Sequence, residues 1–148
     1  MAELWLADSN ILIRWVQPGD PDFRVAQAAV LKLETSGDIP CFAPQNLGEF
    51  WNVLTRPAAR NGYGLSPGEA NRRANTIESR FRLLPDNIDV YREWRRLLVD
   101  CNVSGTQVHD ARLVASMQVH GVSRLLTFNT RDFARYSGIE AIHPARLA

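Results

Sequence analysis

Short apolar runs alternate with stretches of helical spacing along the whole chain, and this alternation constrains the fold most. The runs are Glu3 to Ala7, Ile39 to Ala43, Leu125 to Phe128 and Ile139 to Ile142, with Leu83-Leu84-Pro85 as a candidate fifth. Each is too short for a stable helix and long enough for a buried strand. Between them the apolar period changes to 3.6. Ile11 to Val16 carries helical spacing. Val25, Ala28, Ala29, Lys32 and Leu33 form one stripe; Leu47, Phe50, Trp51 and Leu54 form another. Ser66-Pro67-Gly68-Glu69 reads as a capping box with proline at the first helical position. From Ile88, residues Tyr91, Trp94, Leu97, Leu98 and Cys101 mark an amphipathic helix. Thr106 starts another through about His120, and Gly121 stops it. Strands that alternate with helices are the pattern of parallel strands, which need such crossover connections. The expected class is α/β, with a mainly parallel central sheet of about four to five short strands. At 148 residues, with no repeat and no linker, residues 1–148 read as one domain.

Several function classes drop out early. No apolar run approaches the ~18 residues needed to cross a bilayer. Met1 to Ala7 lacks a basic segment and meets Asp8 too soon for a signal peptide. A cytoplasmic protein without a membrane partner is expected. Cys41 and Cys101 are isolated, and no CxxC or His/Cys spacing suggests zinc. The loop after the first apolar run has no glycine pattern, which argues against dinucleotide and P-loop sites. The net charge is +1, so no global field draws in nucleic acid. The basic residues are 16 Arg and a single Lys, Lys32. Arg offers a planar fork suited to phosphate and carboxylate.

Four acidic residues carry the chemistry. Asp8 directly follows the first strand. Asp132 follows the strand Leu125 to Phe128, in the polar turn Asn129-Thr130-Arg131-Asp132. Glu49 flanks the Leu47, Phe50, Trp51 stripe. Asp110 has Leu113, Val114 and Met117 at i+3, i+4 and i+7, so its helix face is apolar. Each has an ordinary explanation: a helix cap for Asp8 and for the Asn129 to Asp132 turn, a surface position for Glu49, an Arg partner for Asp110. An unpaired carboxylate entering a core costs several kcal/mol. A helix dipole returns only ~0.3–1 kcal/mol. In a parallel sheet, Asp8, Glu49 and Asp132 project from one edge, where α/β folds bind ligands. Four carboxylates gathered there repel one another, so the constellation implies a cation. Hard cations such as Mg²⁺ take oxygen ligands, with water completing the shell.

The pieces Leu6-Ala7-Asp8-Ser9-Asn10-Ile11-Leu12, the Glu49 helix, His109 to Ala115 and Leu125 to Phe133 follow one another in order across nearly the full chain. Together they resemble the PIN domain family, and within it the VapC-type toxin ribonucleases. The resemblance implies a compact three-layer α/β/α domain and an endoribonuclease dependent on Mg²⁺ or Mn²⁺. It implies a VapB-like antitoxin partner, an RNA substrate and a homodimer. Carried over residue by residue, Asp8, Glu49, Asp110 and Asp132 form the acidic quartet. Asp8 and Asp110 hold metal, and Glu49 and Asp132 do so directly or through water. Asn10 and Asn129 support the quartet by hydrogen bonding; Asn129 stands where some relatives carry a further acid. Ser9 orients Asp8 or a metal-bound water. The reaction expected is in-line hydrolysis by a metal-activated water, leaving 5′-phosphate and 3′-hydroxyl ends. His109 is assigned to capping or packing.

Arg72, Arg73, Arg80, Arg82, Arg92, Arg95 and Arg96 cluster on the middle helices. They read as a solvated surface paired with Glu69, Glu78 and Glu93, or as phosphate contacts. Tyr63 with Trp51 or Trp15 could stack on an unpaired base, although the tryptophans fit a core or a dimer interface better. Two alternatives stand beside the nuclease. A non-catalytic PIN-like scaffold binding RNA or protein would usually lose some of the acids. A phosphatase built on Asp8 generally needs an acid two residues on, where this chain has Asn10.

Overall fold

Residues 1–147 are described by a computed structural model. The chain runs β1 (Leu4–Ala7), α1 (Ser9–Trp15), α2 (Phe23–Thr35), β2 (Ile39–Phe42), α3 (Pro44–Thr55), α4 (Pro67–Arg80), β3 (Arg82–Leu83), α5 (Ile88–Asp100), α6 (Gln107–Val119), β4 (Arg124–Leu126) and β5 (Glu140–Ile142). Short 3₁₀ turns fill Ala58–Arg60, Thr130–Phe133 and Pro144–Arg146. The five strands form one sheet in the order β3-β2-β1-β4-β5. Every neighbouring pair is parallel, as the helical connections require.

Period two along β1 explains the layers. Trp5 and Ala7 face one side and join residues of α1, α2, α3 and α4 in a single apolar cluster. Leu6, between them, faces the other side and joins Cys41, Leu125 and residues of α5 and α6. The sheet is thus covered on both faces, giving the three α/β/α layers. β1 sits in the middle, with Leu6 opposite Cys41 on one flank and Leu125 on the other. Cys41 and Cys101 are free thiols. Burial pushes the Cys41 thiol up to about 11, so it stays protonated at neutral pH. Among the described residues, no helix is long and apolar enough to cross a membrane.

Three local expectations change. The capping box at α4 is half formed. Ser66 Oγ accepts from the Glu69 N–H at 3.1 Å, but the Glu69 carboxylate turns to Arg72 and Arg73 instead of back to the cap. On α5, Ile88 and Tyr91 are exposed, and the buried face runs through Val90 and Leu97, because the helix packs chiefly along α6. The central strand stops at Leu126, so Thr127 and Phe128 lie past its end.

The loop after α3 is tightly strapped. Tyr63 N–H donates to Val53 O at 3.1 Å, Gly64 N–H to Arg56 O at 2.8 Å and Leu65 N–H to Leu54 O at 2.8 Å. A Cβ on Gly62 would lie 1.9 Å from Arg56 O, a backbone atom. Gly62→Ala is therefore expected to lower stability by about 1–3 kcal/mol through forced backbone movement. An unchanged urea midpoint would contradict this.

Candidate active site

The edge where β1, β2 and β4 end gathers the polar residues. Asp8 is the first residue past β1 and caps α1. Its Oδ1 accepts from the Ser9 N–H at 2.7 Å. Its Oδ2 accepts from Thr127 Oγ1 at 2.8 Å. One carboxylate is thus both a helix cap and a member of the cluster. Thr127 Oγ1 in turn accepts from the Asn129 N–H at 3.0 Å and from Asn10 Nδ2 at 3.4 Å. Asn10 Oδ1 accepts from the Phe128 N–H at 3.3 Å. The start of α1 and the end of β4 are laced together through Asp8.

Glu49 reaches the same edge from α3. Ser9 Oγ donates to Glu49 Oε1 at 2.6 Å, so the Ser9 hydroxyl orients Glu49; what Ser9 gives Asp8 is its backbone N–H. The hydroxyl bonds Glu49 rather than Asp8, and the reason is local. The first turn of α1 faces α3, the helix carrying Glu49. Asn129 contributes its backbone N–H, while its side chain is exposed and makes no hydrogen bond among the described residues. Neither Asn129 nor Thr130 caps the following 3₁₀ turn with its side chain. Asp132, in that turn, is exposed. Asp110 lies in the first turn of α6, half-buried, with no hydrogen-bond donor among the described residues. The preceding residue, His109, is exposed, and its carbonyl accepts from Gln45 Nε2 at 2.8 Å, which ties the start of α3 to the start of α6.

The acids lie close enough for their charges to act on Asp8 and Asp110. Burial pushes the Asp110 carboxyl up to about 6, and the charges of Asp8, Asp132 and Glu49 push the same way; His109 opposes them weakly. Asp8 also rises to about 6. Burial is again the main cause, opposed by the bonds from Thr127 and Ser9 and reinforced by Glu49 and Asp132. None of the four forms an ion pair with Arg, Lys or His among the described residues. The Arg partner that would have made Asp110 ordinary is absent from this set. Nor do any three His, Cys, Asp or Glu side chains among those residues close into a complete ligand set. The carboxylates stand within range of each other's charge without converging on one point. A hydrated divalent cation fits this donor set, since Mg²⁺ and Mn²⁺ favour carboxylate and water oxygen over sulfur.

Sequence reasoning overlooked three residues at this edge. Thr127 has no exposed surface and donates to Asp8. Asn46 also has none and bonds Ser9. Gln45 braces α3 against α6. A hydroxyl inside an otherwise apolar run, as at Thr127, was the available signal.

The family model of the PIN domain matches residues 6–139. The chain belongs to the PIN domain family. No curated protein matches this PIN domain in sequence. Its fold is similar to several solved structures. One is VapBC2 from Rickettsia felis bound to a promoter DNA fragment, with TM-score 0.71, 11% identity, and 95% of this chain and 98% of that chain covered. Another is a toxin–antitoxin complex from Klebsiella pneumoniae, with TM-score 0.62, 23% identity, and 94% and 96% covered. A third is VapC20 of Mycobacterium tuberculosis, described as a toxin cleaving the sarcin–ricin loop, with TM-score 0.59, 20% identity, and 82% and 86% covered.

Thr127 offers a direct check on this PIN domain's polar lacing. Thr127→Val keeps the shape, removes the donor to Asp8, and leaves the Asn129 N–H and the Asn10 amide short of an acceptor. The expected cost is about 1–3 kcal/mol of stability. Thr127→Ser should restore most of it in the same denaturant titration, and a Val variant as stable as wild type would contradict the account.

Proposed function

We propose that this PIN domain is a metal-dependent endoribonuclease of the VapC toxin kind, acting on RNA in the cytoplasm and inhibited by a VapB-like antitoxin. The observation that carries the reading is the carboxylate quartet at the carboxyl edge of the sheet, whose charges act on Asp8 and Asp110 and which makes no ion pair with a cationic side chain among the described residues. Family membership and the likeness to toxin–antitoxin structures support it. The toxin described as cleaving the sarcin–ricin loop supports RNA as the substrate class.

Asp8 and Asp110 would hold Mg²⁺ or Mn²⁺, with Glu49 and Asp132 contributing directly or through water. When bound, the ion supplies Lewis acidity, easing deprotonation of water and offsetting charge on the phosphodiester. The chain's own residues supply position. Thr127 and the Ser9 N–H fix both oxygens of Asp8, and Ser9 Oγ fixes one oxygen of Glu49. Asp132 and His109 are exposed at the rim, open to a substrate. On the middle helices, Arg72 and Arg73 pair with Glu69, Arg80 with Glu34, and Arg96 with Glu93 and Asp100. Arg92 and Arg95, and Arg82 on β3, are exposed and outside these pairs among the described residues, and are the ones left for RNA phosphates. Base stacking on Trp15 is excluded by its burial against Phe81. Tyr63, whose hydroxyl donates to Asp20 at 3.0 Å, is held by the loop.

The antitoxin has a suitable surface. A mainly apolar cleft of about 410 Å³ lies along α3, lined by Phe42, Pro44, Leu47, Trp51 and Leu83 with Glu78. Gly48 stands at its wall in mid-helix, and a Cβ there would touch nothing within 4 Å. A homodimer belongs to the same reading.

Purified protein incubated with mixed RNA in Mg²⁺, Mn²⁺ or EDTA tests the proposal. Specific cuts that need metal, and end in 5′-phosphate and 3′-hydroxyl, are expected. RNA binding without any cutting by well-folded, antitoxin-free protein would favour the scaffold instead.

A further inference from the structure

Asn46 lies in the first turn of α3 with no surface in water. A buried amide needs partners for both its oxygen and its nitrogen. Its Oδ1 accepts from the Ala43 N–H at 2.8 Å. A backbone N–H can only donate, so this bond fixes which way round the amide lies. Nδ2 therefore faces Ser9 Oγ, 3.3 Å away, and donates to it. Ser9 Oγ, already accepting there, sends its own proton to Glu49 Oε1 at 2.6 Å. The direction of every bond from Ala43 to Glu49 is thus set at the backbone end.

We propose that Asn46 is a positioning residue for the metal site: acting through Ser9, it holds Glu49 Oε1 as a hydrogen-bond acceptor and turns the other carboxylate oxygen toward the cation. This rests on the metal-dependent reading above. Burial alone requires Nδ2 to find an acceptor; that this acceptor is the hydroxyl that donates to Glu49 ties the amide to the carboxylate. Partners that orient metal-binding carboxylates typically alter metal affinity by 10- to 100-fold when removed.

The experiment is titration of the purified chain with Mn²⁺, followed by calorimetry or by the free-ion EPR signal. Asn46→Ala and Ser9→Ala should each weaken Mn²⁺ binding by about tenfold. Neither should weaken it further when added to Glu49→Gln, because the relay then has no carboxylate to place. Ser9→Ala leaves the Ala43–Asn46 bond intact, so it tests the relay even if Asn46→Ala does not fold. Wild-type affinity in Ser9→Ala, or in folded Asn46→Ala, would overturn the proposal. So would an equal loss with and without Glu49→Gln, which would mean a general loosening of α3. If the wild type itself binds no Mn²⁺, the metal reading falls first and this inference falls with it.

Discussion

Asp110→Asn is expected to leave a protein that no longer cuts RNA and yet unfolds at a higher temperature than the wild type in EDTA. Both effects come from the same side chain. As the direct ligand proposed above, it should cost at least about a hundredfold in cleavage, since even the outer partners of metal ligands cost 10- to 100-fold. The gain in stability follows from titration. The folded Asp110 carboxyl is raised from 3.8 to about 6, chiefly by burial and then by Asp8, Asp132 and Glu49. Below pH 3.8 both folded and unfolded states hold the proton, and there is no penalty. Between 3.8 and 6 the folded state holds it more tightly, so stability falls as pH rises. Above 6 the full penalty is present. At 1.36 kcal/mol per pK unit it would reach about 3 kcal/mol. Asp110 is only half-buried, and water reduces this to about 1–2 kcal/mol. Asn removes the charge and, because no described group donates to Asp110, breaks no recorded bond. Calorimetry should show Tm raised by roughly 3–6 °C at pH 8. The gap should close toward pH 4. A variant less stable than wild type at pH 8 without metal would refute the account.

The second large effect is the response to metal. Mn²⁺ at a hundred times its Kd should stabilise the wild type by about 2.7 kcal/mol. For a chain of this length that is roughly 8 °C in Tm. The effect belongs above pH 6, because Asp8 and Asp110 both titrate near 6 and protons compete with the cation below it. Melting curves at pH 8 and pH 5, with Mn²⁺ or with EDTA, separate the cases. Near pH 5 the shift should largely vanish, and in Asp8→Asn it should be small at either pH. An equal shift at both pH values, or an undiminished one in Asp8→Asn, would place the cation elsewhere. Cleavage should rise with pH through the same range.

The sheet was legible because its signals are local. β1 and β2 are near-continuous apolar runs, as strands covered on both faces must be. Pro44 at the start of α3 and Gly121 after α6, at φ +71°, punctuate the chain as their backbone preferences dictate. Asp8 was legible because an apolar run ends on it. The connections among the acids were not, because they are long-range. Ser9 bonding Glu49 spans 40 positions, and Thr127 bonding Asp8 spans 119. Thr127 looked like the middle of a strand because Phe128 extended the apolar run, yet the ladder ends at Leu126. Asn46, flanked by Gln45 and Leu47, had no local mark; its role comes from α1 lying against it. The same limit applies to charge. Arg80 pairs with Glu34 on another helix, 46 positions away, rather than with the nearby Glu78.

The central place of β1 has a consequence for how the protein comes to life. β1 is made first, but one of its two neighbours, β4, lies some 120 residues later, with four helices and two strands between α2 and it. Thr127 and Asp132 arrive only with that last third. A growing chain that has not yet docked β4 holds Asp8 without its hydroxyl partner and without the fourth acid. Loop closure over such a distance is slow compared with local helix formation. A chain in synthesis therefore carries an incomplete acidic edge until β4 and the turn after it have been made and docked.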